Sequence, residues 1–456
     1  MSHHYSFSQI TPDLHQYSAI SLKHNKICAD LFEQYNVKQG LRDKNGKGVL
    51  TGLTNISEVY AKKVVDGVEE PCAGELYYRG VDVHDIIDGC FADKRFAFEE
   101  TIFLLLFGKL PSPQQYTWLC GILGDYRSLP TAFVRDIIMK SPSANIMNSL
   151  SRSVLTLYSY DPYAEDLSMP NVLRQCLELI ALFPMLSVYS YQAYGYYHCN
   201  DVLTIRPPKP ELSTAENILQ MLRPDGHFTD LEARVLDAAL VLHAEHGGGN
   251  NSTFTTRVVT TSGTDTYSAI SAGLCSLKGP KHGGANIKVV EMMKELKEKV
   301  PDWEDDEAIS HHLNALLDKQ AFDRSGLIYG IGHAIYSISD PRAELFKRFV
   351  AQLSHENGRD AEYALYNKVA TLAPQIIQER RKMYKGVSAN IDFYSGFVYE
   401  MLGLPQELYT PIFAIARIAG WSAHRMEELA TAGKIIRPAY KSISPRVAYV
   451  PFEQRD

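Results

Sequence analysis

The sequence predicts an all-α fold with one small β-hairpin near its N-terminus, and two observations carry that prediction. After Val83 the strand signals fade and apolar residues recur at helical spacing through segment after segment. Before it, Gly52 to Val81 holds β-branched residues, glycine breaks and the run Glu75-Leu76-Tyr77-Tyr78-Arg79-Gly80, the composition of a hairpin.

In chain order, residues 1 to about 48 are mixed and polar and read as an N-terminal extension that leaves through the charged turn Arg42 to Gly48. Ile102 to Phe107 is an apolar run stopped by Gly108 and Pro111, hence part of a buried helix. Further helices are expected at about 114–125, 131–140, 146–158, 171–197, 213–222, 230–246, 266–277, 286–299, 305–319, 343–356, 360–384, 392–402 and 408–430. Within 230–246, Thr229 and Glu232 form a capping-box pattern, and the stripe Leu231, Val235, Ala238, Ala239, Leu242 extends to His246. That histidine stands at the mouth of a polar loop, Gly247 to Thr253. The uncharged stretch Ile180 to Tyr197 is long enough to raise a membrane helix, but Pro184, Gln192, Gly195 and its tyrosines favour a buried or interface helix.

At 456 residues the chain exceeds one compact core and suggests two or three domains. A net charge of -7 and a pI near 6.1 argue against general attraction to nucleic acid or anionic membranes. Any anionic ligand must therefore be held by local arginines and lysines. The seven cysteines (Cys28, Cys72, Cys90, Cys120, Cys176, Cys199, Cys275) contain no C-x-x-C pair and read as mostly buried free thiols of a reducing compartment. Met1 to Asp13 has no basic-then-apolar pattern, so a cytoplasmic protein is expected.

Several short stretches could carry chemistry. Gly279-Pro280-Lys281-His282-Gly283-Gly284-Ala285-Asn286 puts a histidine in a glycine turn at the start of a helix, where unpaired N–H groups disfavour a second proton on the ring. Taken alone, it also fits a buried structural histidine. His243-Ala244-Glu245-His246 has H-x-x-H spacing, not H-E-x-x-H, and no nearby cysteine, so a metal site is not expected. Tyr329-Gly330-Ile331-Gly332-His333 lacks the third glycine of a dinucleotide fingerprint and reads as a tight loop presenting His333. Ser339 to Glu344 looks like a helix start in which Arg342 is either a surface arginine or a carboxylate clamp. Asp392 sits at another helix start, fitting a cap or an ionised base. Arg417 lies inside an apolar helix and needs an anionic partner, whereas Arg437, before Pro438, has no such internal support.

The ordered set H-A-E-H-G-G-G-N-N-S-T, G-P-K-H-G-G-A-N, G-I-G-H-A-I-Y-x-x-S-D-P-R-A, N-I-D-F-Y-S-G and A-R-x-x-G-W-x-A-H resembles the citrate synthase family over roughly residues 50 to 440. The resemblance implies an all-α homodimer with a large and a small helical domain that close over the substrates. Here the small domain would be 282–394 and the large domain 1–281 with 395–456. It implies condensation of an acyl-CoA with oxaloacetate, with Asp392 as base, His282 as donor to the thioester oxygen and His333 as acid at the oxaloacetate carbonyl. His246, Arg342 and Arg417 would hold carboxylates, joined by Arg437 from the neighbouring subunit. Leu327, Ile328, Tyr329, Gly330, Ile331 and Gly332 would bind coenzyme A, which is a substrate, and no metal or cofactor is needed. Bacterial relatives place a lysine where this chain has Ser337, a position that meets a CoA phosphate, so Lys278, Lys281 or Lys385 is expected to compensate. Acetyl-CoA is the leading acyl donor, propionyl-CoA (2-methylcitrate synthase) the near alternative. A non-catalytic CoA- or partner-binding member of the fold and a metalloprotein built on His243 and His246 are the readings from other classes.

Overall fold

The computed structural model describes residues 8–43, 47–381, 386–431 and 433–455. Lys385 and residues 44–46 of the charged turn lie outside them. Residues 1–53 form one compact unit and residues 54–456 a second.

The first unit holds two helices that hydrophobic spacing does not announce, α1 (Pro12–Asn25) and α2 (Ala29–Gln34). Neither buries a residue, so no apolar stripe marks them; α1 is set instead by Thr11, whose hydroxyl accepts from the Leu14 N–H, and by Pro12 at its first position.

The second unit opens with strands β1 (Ser57–Val65), β2 (Val68–Tyr78) and the short β3 (Val81–Asp82), antiparallel in that order, one strand more than the expected hairpin. Asp66 and Gly67 join β1 to β2 with φ of 52° and 81°, the left-handed pair that matches strand twist in a two-residue turn.

Helices α3 (Val83–Ala92), α4 (Phe98–Phe107) and α5 (Pro113–Tyr126) follow, of which α3 was not expected. The segment expected as a helix at 131–140 is a π-helical turn, Val134–Ile138. Then come α6 (Ile146–Leu157), α7 (Met169–Tyr194), α8 (Thr214–Leu222) and α9 (Asp230–His243). Helix α7 is apolar and long enough to cross a membrane, yet 83% of its most apolar window is buried inside the protein, where it packs on α17 (below). Next are α10 (Asn251–Thr260), α11 (Thr266–Leu277), α12 (Ala285–Lys299), α13 (Asp306–Leu317), α14 (Pro341–Glu356), α15 (Asp360–Arg381), α16 (Ile391–Met401) and α17 (Tyr409–Thr431). Helices α6, α7, α10, α11 and α17 pack around one another, as do α12 to α16; residue 394 lies within α16.

Two departures from the expected elements shape the site. The Thr229/Glu232 capping box is present, but α9 stops at His243 and not at 246. Tyr78 of β2 causes this: its hydroxyl lies 2.9 Å from Val241 O and accepts from the Glu245 N–H, replacing the bonds a further helical turn would make. Likewise 251–253, read as loop, begin α10. Its Asn, Ser, Thr and Val content gives poor intrinsic propensity, and packing against α11 and α17 supplies what composition lacks. All seven cysteines are free, but only Cys90 and Cys176 are buried, whereas Cys28, Cys199 and Cys275 are exposed.

Candidate active site

Arg417 is the centre of the constellation. It is fully buried on α17, its Nε donates to His243 O at 2.7 Å, its guanidinium lies 4.7 Å from the Phe413 ring centre, and its Nη1 has no partner among the described residues. Burial lowers its pKa to about 10, partly offset by the negative charge of Glu245. A buried cation with an unused donor is the arrangement a carboxylate ligand completes.

Three histidines and Asp392 are among the titratable groups that feel that charge. Desolvation and then Arg417 bring His282 down to about 4, so its ring is neutral. Its Nε2 accepts from the Ser252 N–H at 3.3 Å and lies 3.0 Å from Ser252 Oγ, which also accepts from Trp421 Nε1 at 3.2 Å. A backbone N–H can only donate, so Nε2 carries the lone pair and Nδ1 the proton. The helix end that meets His282 is thus the first turn of α10; α12 begins only at Ala285, three residues later. His243 and His246 are buried and held well below the usual imidazole range by desolvation and the nearby arginines. Among the described residues both His243 nitrogens and His246 Nε2 lack partners, and the His243 ring packs 4.6 Å from Phe413.

Asp392 is the fourth. The cap of α16 is Asn390, whose Oδ1 accepts from the Asp392 N–H at 2.9 Å, so Asp392 is left in the first turn with a side chain that is not spent on capping. Burial raises its carboxyl to about 6 against the pull of Arg342 and Arg417, with Asp340 adding to the rise. The dipole of α16 was expected to keep this group ionised; desolvation outweighs it.

His333, Tyr336 and Arg342 close the site from the 330–342 segment. His333 Nδ1 accepts from the Ile335 and Tyr336 N–H groups at 3.1 and 3.2 Å, which puts the ring proton of the neutral form on Nε2. Its ring stacks on Tyr336 at 4.8 Å and meets the His246 ring edge-on at 5.1 Å. Buried Arg342 is engaged by Asp340 through Nε and Nη2 at 3.0 and 2.7 Å. Asp340 also caps α14 and accepts from the Ile391 N–H at 3.4 Å, so one carboxylate joins the starts of α14 and α16.

A short antiparallel bridge ties His333 to Asp392: Gly332 N–H donates to Ser388 O at 2.8 Å, Asn390 N–H to Gly330 O at 2.9 Å, and Asn390 Nδ2 to Gly332 O at 2.8 Å. Replacing Asn390 by alanine is expected to cost about 1–2 kcal/mol, since a cap and a carbonyl partner are lost together. Chemical denaturation would read it as a lower midpoint with an unchanged slope.

The structure therefore brings His246, His282, His333, Arg342, Arg417 and Asp392 into one neighbourhood. Arg437 is exposed on the irregular segment after α17 and makes no hydrogen bond or ion pair among the described residues. In the 327–332 segment, Leu327 is exposed, Ile328 and Gly330 are buried, and Tyr329, Ile331 and Gly332 are half-buried; Tyr329 donates to Asp323 at 2.6 Å. Ser337 is half-buried, and Lys278 and Lys281 are exposed. Ser252, Asp340 and Tyr336 were not singled out from sequence. All three were within the quoted motifs, and only their contacts across the fold distinguish them from their neighbours.

A largely helical fold with neutral histidines, buried arginines and one carboxyl of raised pKa defines an enzyme site built for an anionic substrate. The model of the citrate synthase C-terminal domain matches residues 43–439. A citrate synthase from Synechocystis sp. is 32% identical over 401 residues, covering 86% of this chain and 90% of that protein. A 2-methylcitrate synthase from Shewanella oneidensis is 30% identical, covering 81% and 90%. Among solved structures, the ternary complex of citrate synthase from Thermoplasma acidophilum with carboxymethyl coenzyme A and oxaloacetate superposes with a TM-score of 0.75 at 25% identity, covering 92% of this chain and 99% of that one. The chain belongs to the citrate synthase family, and it is an acyltransferase with that family's fold.

Proposed function

We propose that this protein condenses acetyl-CoA with oxaloacetate and hydrolyses the resulting thioester to citrate and coenzyme A. The observation that carries the reading is the convergence of neutral His282 and the raised-pKa carboxyl of Asp392 on one buried, incompletely bonded arginine, Arg417. Asp392 takes a proton from the carbon beside the thioester, and the C–H electron pair becomes the enol double bond. His282 donates its Nδ1–H to the thioester oxygen as charge builds there. That enol carbon attacks the oxaloacetate carbonyl, whose oxygen takes the His333 proton. Water then cleaves the thioester.

His246, Arg342 and Arg417 hold the carboxylates, and Arg437 joins them from a second copy in a homodimer. Residues 327–332 and the exposed Lys278 and Lys281 receive coenzyme A. The segment 282–394 moves as a small domain that closes over both substrates and excludes water. Coenzyme A serves as substrate, without a metal or other cofactor, in the cytoplasm. The Thermoplasma complex, with a coenzyme A derivative and oxaloacetate bound, supports the same two substrate classes here.

Steady-state kcat/KM with acetyl-CoA and propionyl-CoA, each with oxaloacetate and with CoA release followed by a thiol reagent, tests this. One methylene is worth about 1–3 kcal/mol in a pocket, so a preference for acetyl-CoA of roughly 10-fold or more is expected. A propionyl preference would make it a 2-methylcitrate synthase. No release from either thioester by folded protein would refute the catalytic reading.

A further inference from the structure

Two residues of the quoted motifs have no part in that mechanism, Glu245 of H-A-E-H and His424 of A-R-x-x-G-W-x-A-H, yet each is completely buried and they bond to each other. Glu245 Oε1 accepts from His424 Nε2 at 3.0 Å and from Ser57 Oγ at 3.0 Å. On its other side, His424 Nδ1 lies 2.8 Å from Arg257 Nη1, which can only donate, so the ring proton belongs to Nε2 and points at Glu245. Arg257 is held in turn by Glu427 and Glu428, each at 2.8 Å. Burial alone would raise the Glu245 carboxyl; His424, Arg417 and Ser57 outweigh it and hold the group below the usual carboxylate range, so a negative charge stands inside the protein. Gly420 makes room for it, because a Cβ there would lie 2.2 Å from Glu245 Oε2.

The placement of this anion is specific. It stands between His243 and His246 in the chain, and it is fastened to α17 at His424, about two turns beyond Arg417. Ser57 completes the tie by accepting the Gly247 N–H at 3.1 Å. We infer that the Glu245–His424 pair is a positioning device for the dicarboxylate substrate: it sets His246 against Arg417 and supplies the counter-charge that lets Arg417 stay buried and charged before the substrate arrives. The inference rests on the proposed oxaloacetate site. His282 bonds to Ser252, itself bonded to Asn250 and Trp421, and makes no hydrogen bond to Glu245 or His424, so the acyl-CoA side should be the less affected.

The test uses the full-length protein and two readouts, calorimetric titration with oxaloacetate alone and the KM of each substrate. His424→Leu removes both ring bonds and is expected to weaken oxaloacetate binding at least 10-fold while the acyl-CoA KM stays within about two-fold. His424→Gln, whose amide can donate to Glu245 and accept from Arg257, is expected to restore most of the loss. Should His424→Leu fail to fold, Glu245→Gln, which keeps the shape and removes the charge, is expected to show the same split. Unchanged oxaloacetate binding in the folded variants, or equal losses for both substrates with no rescue by His424→Gln, would overturn the inference. Absence of oxaloacetate binding by the unmodified protein would instead count against the proposed function.

Discussion

Asp392→Asn is expected to cut turnover steeply while making the protein more stable at neutral pH. Removing a general base costs roughly 10²–10⁴-fold in rate. The stability gain follows from the raised carboxyl. In the unfolded chain an aspartate titrates near 4, whereas here burial has moved it to about 6. Below about pH 4 both states are protonated and the group contributes nothing. Between about 4 and 6 the unfolded chain ionises first, so stability is lost as pH rises, and above about 6 the full penalty is present. Asparagine never incurs it, so the variant gains about 2 kcal/mol at pH 7, after allowance for the partial exposure of the side chain, and nothing at pH 4. Thermal melts at the two pH values read this directly. In the unmodified protein kcat/KM for the acyl-CoA should fall below about pH 6, as Asp392 gains its proton, with His282 neutral throughout because its own pKa is about 4. A variant that keeps its rate, or an acid limb near pH 4, would remove Asp392 from the role of base.

Arg417→Leu is expected to cost about 3 kcal/mol of oxaloacetate affinity, roughly 100-fold, as truncation of one side of a buried charge pair does. The loss should appear in titrations with oxaloacetate alone, since Arg417 faces the carboxylate site, and the acyl-CoA KM should change far less. An unchanged dissociation constant would mean that the orphaned Nη1 of Arg417 serves the fold and not the ligand.

The helical half of this architecture was legible because most of its helices carry an apolar face: α5, α6, α11, α13 and α14 fall within a residue or two of their expected spans. Helices without such a face were not. α1 buries nothing, and α10 is written in threonine, serine and valine that acquire helical form from their neighbours. The end of α9 was misplaced because its stripe continues past His243 while the Tyr78 hydroxyl, from a strand 163 residues earlier, draws the backbone away. At the site the same division holds. Residue types and order were enough to nominate His282, His333, Arg342, Arg417 and Asp392 through their likeness to a family. A neutral His282 was anticipated, although from the wrong helix end; which nitrogen carries its proton, and the raised carboxyl of Asp392, were not readable, because these depend on burial and on contacts across the fold such as Ser252 against His282.

The bridge between 330–332 and 388–390 has a further consequence for how accurately the reaction can be aimed. His333 and Asp392 follow within two residues of the two short segments that this bridge pins to each other, with the one Asn390 side chain bonding on both sides. Thermal displacement of that segment is therefore common-mode: it carries the acid and the base together and leaves their separation nearly fixed. His282, the first residue of the 282–394 segment, is tied across its boundary to Ser252 of α10, which Trp421 of α17 also meets. Alignment of the three groups then comes down to how the bridge sits against α10, in place of three independent placements.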